Sequence, residues 1–551
     1  MLPSKIPYLD YNPTEVGEGR KVYIESYGCQ MNVSDTQIAY SIMQAAGYGR
    51  AEGVDDADVI FLNTCAIREH AEHKIWSRLG VLKAMKQSKE KSGGLVVGVL
   101  GCMAERLKEQ ILDQEKLVDV VAGPDAYRDL PRLVSKADEG QRVINTMLSQ
   151  DETYADIAPV RVDDDGISAY VSIGRGCNQH CTYCIVPRTR GIERSRPAAS
   201  IYEEIRELSR KGYKEVTLLG QNVNSYNDKS HLSGRGGVAG GDEHGLDAIS
   251  DLELETSKMK ELPLVKTAKG FRTVYRTPTA GITFSELIDN IAEIDPEMRI
   301  RFTSPHPKDF PDELLEIIRN RPNVCSAIHL PAQSGNSEVL ERMRRGYTRE
   351  AYIELVDRIR SIVGEDVTIS SDFISGFCGE TEEQHKDTVS LLERVKYDQA
   401  FMFAYSMRER TPAHRRYVDD VPEDVKRRRL AEVIDTFHAN VKLRNEAQLG
   451  KRHLVLVEGN SKRSDKDLAG RNDGNKKVIF PNNPIPTLSQ TLMHTNKDKL
   501  EMETTMAQQH AKPGEYVVVE VTGTTGISLT GRAIARTTLA EFHQSKLNGS
   551  L

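Results

Sequence analysis

The stretch that decides the fold of this chain is Gly174-Arg175-Gly176-Cys177-Asn178-Gln179-His180-Cys181-Thr182-Tyr183-Cys184. Its cysteines are spaced by three and then two residues, so one short loop can bring three thiolates around a single iron–sulfur cluster. A [4Fe-4S] cluster normally takes four cysteines, and three would leave one iron open to a small molecule, as chemistry at a cluster requires. The spacing therefore predicts an open-site [4Fe-4S] cluster whose ligands are Cys177, Cys181 and Cys184.

The residues around these cysteines favour the same interpretation. Gly174 and Gly176 allow the backbone to approach the sulfurs, and Tyr183 beside Cys184 fits a cluster that is partly shielded from water. The alternative is zinc, but structural zinc sites prefer paired C-x2-C knuckles with four ligands. His180 is available as a fourth ligand, yet it lies inside the tight loop and points elsewhere if the cysteines converge. Three unrelated core cysteines within eight residues would be improbable in a chain with 8 Cys in 551 residues.

The composition predicts a protein of three or four domains with an ample core, since the chain has 551 residues, of which 38% are hydrophobic. No apolar run approaches the ~20 residues of a membrane span. A net charge of -7 argues against a globally basic nucleic-acid binder, although 74 Lys and Arg allow local basic grooves. Cysteines spread through a large chain indicate metal chemistry in a reducing compartment rather than a disulfide scaffold.

Three predicted strands near the N-terminus end in a cysteine. After a disordered lead at 1–20, the pattern predicts strands at 21–25, 58–62, 95–100 and 117–121, with helices at 34–46 and 68–91. Alternating strands and helices favour a parallel α/β sheet, and ligands sit at the carboxyl edge of such a sheet. Cys29, Cys65 and Cys102 all follow strand ends, so a second metal or cluster site is predicted there. Three buried free thiols are the alternative.

The middle of the chain predicts six strand–helix units. Six units are too few for a closed eight-stranded barrel and favour an open partial barrel of the (β/α)6 type. The predicted strands are 168–173, 215–219, 299–303, 324–329, 367–371 and 399–404, and the longer predicted helices include 337–362 and 422–446. A segment at about 228–282 lacks core-forming periodicity and is predicted to be an inserted surface loop.

The last part of the chain, after Gly450, changes to short strands with Gly-rich turns. Strands at 454–458, 476–480, 515–522 and 528–536 predict a small antiparallel β-barrel, interrupted by a second insertion at about 481–512. Basic charge on this barrel is expected from Lys451, Arg452, Lys462, Arg463, Lys476 and Lys477. The basic run Lys426-Arg427-Arg428-Arg429 is either a solvated face or a phosphate contact.

The three-cysteine loop after a strand resembles the signature of the radical S-adenosylmethionine (SAM) superfamily. The wider string from Gly176 to Pro197, which includes Cys184-Ile185-Val186-Pro187, resembles the methylthiotransferase branch of that superfamily. The N-terminal cysteines lie in strings similar to the three signatures of that branch's first domain: Tyr27-Gly28-Cys29-Gln30-Met31-Asn32, Asn63-Thr64-Cys65 and Gly101-Cys102-Met103-Ala104. The resemblance implies a second, auxiliary [4Fe-4S] cluster at Cys29, Cys65 and Cys102.

The resemblance runs from Lys21 to Arg536 and implies three domains. They are an N-terminal parallel α/β domain at 20–138, a radical SAM core with a partial TIM-like barrel at 163–446, and a small RNA-binding barrel called a TRAM domain at 447–537. A linker at 139–162 joins the first two. The carboxyl-end loops of the core combine Gly or Pro with polar groups, as a pocket for SAM needs. Cofactor-binding candidates are Tyr183, Gln221, Asn222, Ser304, Gln333 and Asp372, whereas Cys325 and Cys378 are expected to be structural.

The branch of the family follows from a few local matches. Methylthiotransferases insert sulfur and a methyl group at an unactivated C–H bond, using one SAM for the methyl group and another for a 5′-deoxyadenosyl radical. Gln30 after the first cysteine resembles the MiaB type, which acts on N6-isopentenyladenosine 3′ of the tRNA anticodon. The threonylcarbamoyladenosine branch typically has Lys there, and the ribosomal-protein branch has Pro. The loop at 376–381 is similar to eukaryotic members, the cyclin-dependent kinase regulatory subunit-associated proteins.

The resemblance implies the tRNA anticodon stem-loop and an electron donor as partners, and it leaves the sulfur donor and the oligomeric state open. Eukaryotic members are typically mitochondrial, although Met1-Leu2-Pro3-Ser4-Lys5 shows no transit peptide, so the cytoplasm is the alternative. Two other functions stay open: a methylthiotransferase with another substrate, and a non-catalytic protein that binds a kinase regulator. The presence of all six cluster cysteines favours the enzyme.

Overall fold

The computed structural model describes residues 17–66, 69–89, 94–162, 165–230, 271, 280–489, 491 and 508–549. Most of the predicted lead and most of the two predicted insertions lie outside these residues. The two ends of the first insertion are described, and they pair antiparallel as Asn227–Asp228 with Ile282–Thr283. The chain therefore leaves the central domain and returns to it at the same place.

The N-terminal part is a six-stranded parallel sheet, which confirms the predicted α/β class. Its strands are β1 Lys21–Ser26, β2 Gly49–Arg50, β3 Val59–Thr64, β4 Val96–Gly101, β5 Val120–Ala122 and β6 Val143–Asn145, hydrogen-bonded in the order β2-β1-β3-β4-β5-β6. Its helices are α1 Gln30–Ala45, α2 Glu69–Lys89, α3 Cys102–Leu107, α4 Glu109–Gln114 and α5 Leu130–Asp138. The central strands β3 and β4 are buried along their whole length, as expected for apolar strands with both faces covered. The short strands β2 and β6 were not predicted.

The central part contains six parallel strands in one open series. Two three-stranded sheets, β7-β10-β13 and β14-β15-β16, are joined by a parallel bridge between Ile300 and Val324. Within the described residues, β7 and β16 pair on one side only, so the series has two free edges. The six strands are β7 Ser168–Ser172, β10 Glu215–Leu219, β13 Arg299–Phe302, β14 Ala327–His329, β15 Thr368–Ser375 and β16 Gln399–Ala404. Two short antiparallel pairs lie outside the series: β8 Gly174–Arg175 with β9 Arg194–Ser195, and β11 Asn227–Asp228 with β12 Ile282–Thr283.

Helices pack against this series of strands and bury the largest apolar core of the protein. They are α7 Ala198–Arg210, α8 Phe284–Ile294, α9 Asp312–Asn320, α10 Ser337–Arg342, α11 Arg349–Val363, α12 Glu382–Val395 and α14 Glu423–Glu446. Two short helices, α6 Val186–Thr189 and α13 Pro412–Arg416, lie outside this core. The prediction of one helix over 337–362 was wrong. Arg344 and Gly346 between α10 and α11 have positive φ angles of 56° and 73°, which a continuous right-handed helix cannot contain.

The C-terminal part is a closed five-stranded barrel in the order β17-β18-β19-β21-β20. Its elements are β17 Arg452–Ser461, β18 Ser464–Asn472, β19 Lys477–Pro481, β20 Tyr516–Thr525, β21 Ser528–Thr537 and the terminal helix α15 Leu539–Leu547. Strand β18 was not predicted because its sequence, Ser-Asp-Lys-Asp-Leu-Ala-Gly-Arg-Asn, has no apolar alternation. It forms because both of its neighbours, β17 and β19, pair with it antiparallel, the pairing with β17 containing two register shifts.

Two buried arginines of β13 attach the barrel to the central domain. Arg299 donates to the carbonyl oxygens of Arg471 and Leu454 at 2.9 and 2.7 Å. Arg301 donates to the carbonyl oxygen of Asp473 at 2.8 Å and also binds a buried carboxylate, that of Glu215. Because these contacts start at the beginning of β13, the barrel lies at the amino ends of the central strands.

The predicted basic surface of the barrel is smaller than the sequence indicated. Lys476 is buried, and its Nζ lies 2.9 Å from the carboxylate of Asp398 and 2.6 Å from the amide oxygen of Asn445. Lys451 is paired with Asp366 at 2.7 Å. Lys476 thus ties the barrel to the central domain and is not available to a ligand.

Substitution of His453 in β17 by Gln should remove a pH-dependent loss of stability. Burial lowers the pKa of His453 from its usual 6.5 to about 4, and its Nε2 has no hydrogen-bond partner in the described structure. Between these pH values the unfolded chain binds a proton that the folded barrel does not, so the free energy of unfolding falls as pH is lowered through this window. Urea unfolding should show a loss of about 2 kcal/mol from pH 6.5 to 4 in the wild type and a smaller loss in His453→Gln.

The matched control for this prediction is His438→Gln, because His438 is exposed on α14. This variant should keep the wild-type pH dependence. An unchanged pH dependence in His453→Gln would contradict the assignment of the effect to the barrel histidine.

Candidate active site

The cysteine loop begins with a turn that only glycine fits. Gly176 has a φ of 74°, and a Cβ atom there would lie 1.9 Å from the carbonyl oxygen of Ile192. The next residue, Cys177, donates its N–H to the carbonyl oxygen of Gly191 at 3.2 Å. The start of the loop is therefore closed against the segment that leads into β9.

The far side of the loop is held by a buried threonine. Thr182 donates its N–H to the carbonyl oxygen of Met343 at 3.0 Å and its hydroxyl to that of Arg342 at 2.8 Å. Its own carbonyl oxygen accepts the N–H of Ala413 at 2.8 Å. The loop is thus fixed between the end of α10 and the short helix α13.

The three thiols of this loop lie close together and are mostly buried. Cys177 and Cys181 are buried and Cys184 is half-buried. Burial first, and then the neighbouring cysteines, raise the pKa of Cys177 and that of Cys184, the latter to about 12. Free thiols here would stay protonated, so a positive partner such as iron is needed to hold them as thiolates.

Two donors already point at these sulfurs. The guanidinium of Arg345 lies 3.2 Å from the Sγ of Cys181, and the N–H of Gln179 lies 3.3 Å from the Sγ of Cys177. Hydrogen bonds to cluster sulfurs are a standard means of stabilising an iron–sulfur centre. The donor set and the glycine turn fit a [4Fe-4S] cluster, as predicted from the spacing.

The second set of cysteines lies at the carboxyl edge of the N-terminal sheet, as predicted. Cys29 precedes α1, Cys65 follows β3, and Cys102 opens α3. A Cβ atom on Gly28 would lie 2.7 Å from the Cβ of Cys65, so glycine is required beside this thiol. The pKa of Cys102 is raised by burial and by the nearby Cys29, although the cation of Arg190 opposes this.

The described residues contain no group of three His, Cys, Asp or Glu side chains arranged around a single metal ion. In an iron–sulfur cluster each thiolate binds the cluster through its own iron atom, so the ligands surround a larger body than one ion.

The two sets of cysteines face each other across one layer of side chains. Ile185, which follows Cys184, packs against Ala66 and Cys102 in a small buried cluster. Arg190, at the end of α6, lies with its Nε 3.2 Å from the Sγ of Cys102. The loop of one set therefore contacts a cysteine of the other set directly.

A buried carboxylate of the N-terminal domain holds the cysteine loop in this position. Asp35 on α1 is fully buried and pairs with Arg190 at 2.7 Å and Arg175 at 2.8 Å. Burial alone would raise the pKa of Asp35, but the two guanidinium groups hold it below its usual range. Arg175 also stacks on the ring of Tyr154 at 4.6 Å. A second buried pair, Arg194 with Asp125 at 3.0 Å, reinforces the same interface.

Two of the predicted cofactor-binding residues line a small cavity beside the cysteine loop. Gln221 and Asn222 follow β10 and share this cavity with Gly176 and Glu193. The side-chain oxygen of Gln221 is buried without a hydrogen-bond partner in the described structure, which an incoming donor group would satisfy. Burial raises the pKa of Glu193 to about 7, and the hydroxyl of Ser225 donates to its carboxylate at 2.6 Å.

Asn222 also positions the loop that contains Ser304. Its side-chain oxygen accepts the N–H of His306 at 3.1 Å, and its amide nitrogen lies 3.4 Å from the carboxylate of Asp309. Ser304 itself has a φ of 58°. A non-glycine residue in this sparsely populated conformation is typical of functional loops.

Gln333 and Asp372 lie together, although Asp372 is not in a loop as predicted. Strand β15 extends to Ser375, so Asp372 is inside the strand, and its carboxylate lies 3.5 Å from the Nε2 of His329. Gln333 has a φ of 69° and donates its N–H to the carbonyl oxygen of Asp372 at 2.8 Å. The strand is longer than predicted because Asp372 and Phe373 continue the pairing with β16.

Tyr183 packs on a separate apolar cluster that includes Cys378 and Phe377, and burial raises its pKa. Cys378 and Cys325 are buried outside the two cysteine sets, as predicted. Sequence reasoning assigned no role to Arg190, Arg345, Glu193 or Asp35. Arg190 and Glu193 belong to the string compared with the family, but nothing local marks Asp35 or Arg345.

The basic run at the start of α14 is divided between two buried residues, Lys426 and Arg429, and two exposed ones, Arg427 and Arg428. Lys426 is buried and binds the carboxylates of Asp419 and Glu423. Arg429 is also buried and pairs with Glu380 at 3.2 Å. The two buried members of the run are therefore held in ion pairs, whereas the two exposed members form a solvated face.

Comparison with known proteins supports the family resemblance that the cysteine motifs predicted. A family model described as "Uncharacterized protein family UPF0004" matches residues 21–123, and the Radical SAM superfamily model matches residues 171–235 and 240–392. The chain is 51% identical to "Mitochondrial tRNA methylthiotransferase CDK5RAP1" of Homo sapiens, over 97% of this chain and 85% of that protein. It is 48% identical to "tRNA-2-methylthio-N(6)-dimethylallyladenosine synthase" of Amoebophilus asiaticus, over 84% of this chain and 87% of that protein.

Among solved structures, the radical SAM methyltransferase TsrM of Kitasatospora setae is similar at 13% identity, with a TM-score of 0.47 over 72% of this chain and 75% of that one. The likeness to TsrM is too distant to carry an argument. The resemblance predicted from the cysteine motifs is confirmed by the family models and the curated relatives.

Substitution of Asp35 by Asn should lower the free energy of unfolding, because it breaks the buried ion pairs that hold the cysteine loop against the N-terminal domain. The variant leaves Arg190 buried without a carboxylate partner and Arg175 with only the more distant Glu152, at 3.7 Å. Removing one partner of a buried ion pair typically costs about 3–5 kcal/mol. Chemical unfolding followed by circular dichroism measures this loss. The matched control is Asp56→Asn, which removes an exposed pair with Lys21 and should cost about 1 kcal/mol or less. Equal effects of the two substitutions would contradict the importance of the buried carboxylate.

Proposed function

Since this chain belongs to the radical SAM methylthiotransferase family of these relatives, and is itself such an enzyme, we propose that its substrate is N6-isopentenyladenosine of tRNA, 3′ of the anticodon. The product would be the 2-methylthio derivative. The bacterial relative is named for a product of this type, the dimethylallyl group being the isopentenyl group. The tyrosine, glycine and glutamine around Cys29 support the same branch.

The observation that carries this proposal is the contact between the two cysteine sets. Cys177, Cys181 and Cys184 would hold the radical-generating cluster, and Cys29, Cys65 and Cys102 an auxiliary cluster. When bound, the clusters and SAM supply the electron, the 5′-deoxyadenosyl radical and the sulfur for chemistry at C2 of the base. Ile185 and Arg190 keep the two sets adjacent, so one base placed between them reaches both.

The protein side chains would bind and orient the reactants. The free oxygen of Gln221 would accept a hydrogen bond from the ammonium of SAM, and Glu193 beside it would bind the same group. Asn222, Ser304, Gln333 and Asp372 would complete the pocket. Arg345 and Tyr183 would hold Cys181 and exclude water from the loop.

We also propose the remaining features implied by the family. The open series of six strands would be the partial barrel of radical SAM enzymes, and the C-terminal barrel a TRAM domain, with domain boundaries at 20–138, 163–446 and 447–537. An electron donor and the tRNA anticodon stem-loop would be the partners. Location in mitochondria is proposed because the human relative is a mitochondrial tRNA methylthiotransferase. None of the described helices has the length and apolar character needed to cross a membrane.

Iron analysis and product analysis of cysteine variants test the proposal. After anaerobic reconstitution the wild type should hold about eight irons, and Cys181→Ser and Cys65→Ser about four each. Cys181→Ser should lose SAM cleavage to 5′-deoxyadenosine. Cys65→Ser should keep that cleavage yet form no 2-methylthio product on an isopentenylated anticodon stem-loop.

Cys325→Ala is the matched control, because Cys325 is a buried thiol outside both sets. It should keep the iron content and both activities of the wild type. Normal product formation by Cys65→Ser would contradict the auxiliary role, and product on a threonylcarbamoylated RNA alone would contradict the proposed substrate.

A further inference from the structure

Three arginines form a positively charged cluster next to the cysteine loop. Arg188 is on α6, four residues after Cys184, and Arg410 and Arg415 are on the segment that contains α13. The hydrogen bond from Ala413 to Thr182 fixes α13 against the loop. Arg410 and Arg415 are both exposed, whereas Arg188 is half-buried.

Within this cluster no carboxylate acts on Arg188, whereas Arg410 interacts with the carboxylate of Glu105. The pKa of Arg188 is lowered by burial and then by the positive charges of Arg415 and Arg410, with no carboxylate acting on it. The positive charge of Arg410 also acts to lower the pKa of Glu105, which lies three residues after Cys102. Like charges held together at a protein surface are costly unless an anion binds them.

An exposed aromatic face lies on β16, an edge strand of the same domain. Phe401 and Phe403 are 39% and 36% exposed, which is unusual for large aromatic side chains. Phe401 pairs in register with Asp372, and its ring lies 6.0 Å from that of His329. The two rings therefore share the face that carries the proposed pocket residue Asp372.

We propose that Arg188, Arg410 and Arg415 bind phosphates of the anticodon loop while Phe401 and Phe403 stack its unpaired bases. This proposal rests on the proposed function, because it names the surface by which the RNA substrate binds. Planar guanidinium groups match phosphate oxygens in pairs, and RNA loops present splayed bases that stack on aromatic rings. An acidic peptide would satisfy the arginines but not the two exposed rings.

The arrangement gives each group a separate task. Phosphate contacts fix the position of an RNA without reading its sequence. Arg188 follows Cys184 by four residues, and α13 is hydrogen-bonded to Thr182 of the same loop. Phosphates held by these arginines would therefore place the neighbouring nucleotide beside the cysteine loop. The aromatic pair then holds bases that leave the loop stack.

A binding experiment tests whether the arginines contact phosphates. It uses a fluorescein-labelled, isopentenylated anticodon stem-loop of about 17 nucleotides and follows anisotropy at several salt concentrations. Arg410→Gln and Arg415→Gln should each weaken binding about fivefold at low salt. Each should also reduce the slope of log K against log salt by about 0.7–0.9. Arg188 is left unchanged in this test because it adjoins the cysteine loop.

Arg416→Gln is the matched control, since it removes the same charge from an exposed neighbour on α13. It should bind like the wild type. Iron content of every variant, measured after reconstitution, shows whether the fold and the cysteine sets are intact.

A double variant with Phe401→Leu and Phe403→Leu tests the aromatic pair. Leucine keeps the apolar character but cannot stack on a base, so binding should weaken about tenfold with the salt slope unchanged. Quenching of a 2-aminopurine placed beside the isopentenylated base should also be reduced.

The outcomes distinguish a failure of the proposed RNA-binding surface from a failure of the proposed function. If the wild type makes no 2-methylthio product but the variants still show the expected losses, the proposed function is wrong and the RNA surface stands. If the wild type makes the product while Arg410→Gln and Arg415→Gln bind with unchanged affinity and slope, the surface is overturned. Equal losses in Arg416→Gln would also overturn it, because the effect would then be a general one of net charge.

Discussion

The pairing of one buried carboxylate with two arginines determines how the domains fit together. Asp35 is sealed in the N-terminal domain, and both of its partners come from the segment that contains the cysteine loop. Charges buried in this way are tolerated only while all members are in place. The N-terminal and central domains are therefore expected to dock in one defined orientation, and that orientation brings Ile185 against Cys102.

Much of the fold was predictable because it follows from local sequence. Apolar runs such as the one in β3 predict buried parallel strands. The cysteine spacing likewise predicts that three thiolates lie in one loop. Elements without a local signal were missed. Strand β18 is polar and exists only because two neighbours pair with it, and Asp372 is in a strand because β16 extends the pairing beyond the apolar run.

The cysteines of the site could be predicted from the sequence, but the side chains that hydrogen-bond to them could not. The spacing of the cysteines is a local pattern that cluster binding requires, whereas Arg345, which contacts Cys181, is 164 residues away in the chain. Asp35 looks like any helical carboxylate until the fold buries it. The conformation of Ser304 and Gln333 was also hidden, because a positive φ in a non-glycine residue comes from the surrounding structure and not from the residue itself.

The attachment of the C-terminal barrel has a consequence for the size of any ligand. Arg299 and Arg301 anchor the barrel at the amino ends of the central strands, whereas the cysteine loop follows their carboxyl ends. A five-residue strand such as β10 spans roughly 16 Å, and the loops add to this height. A molecule that contacts both the barrel and the cysteine loop must span that height. Free nucleosides, and oligonucleotides too short to span it, therefore cannot contact both at once.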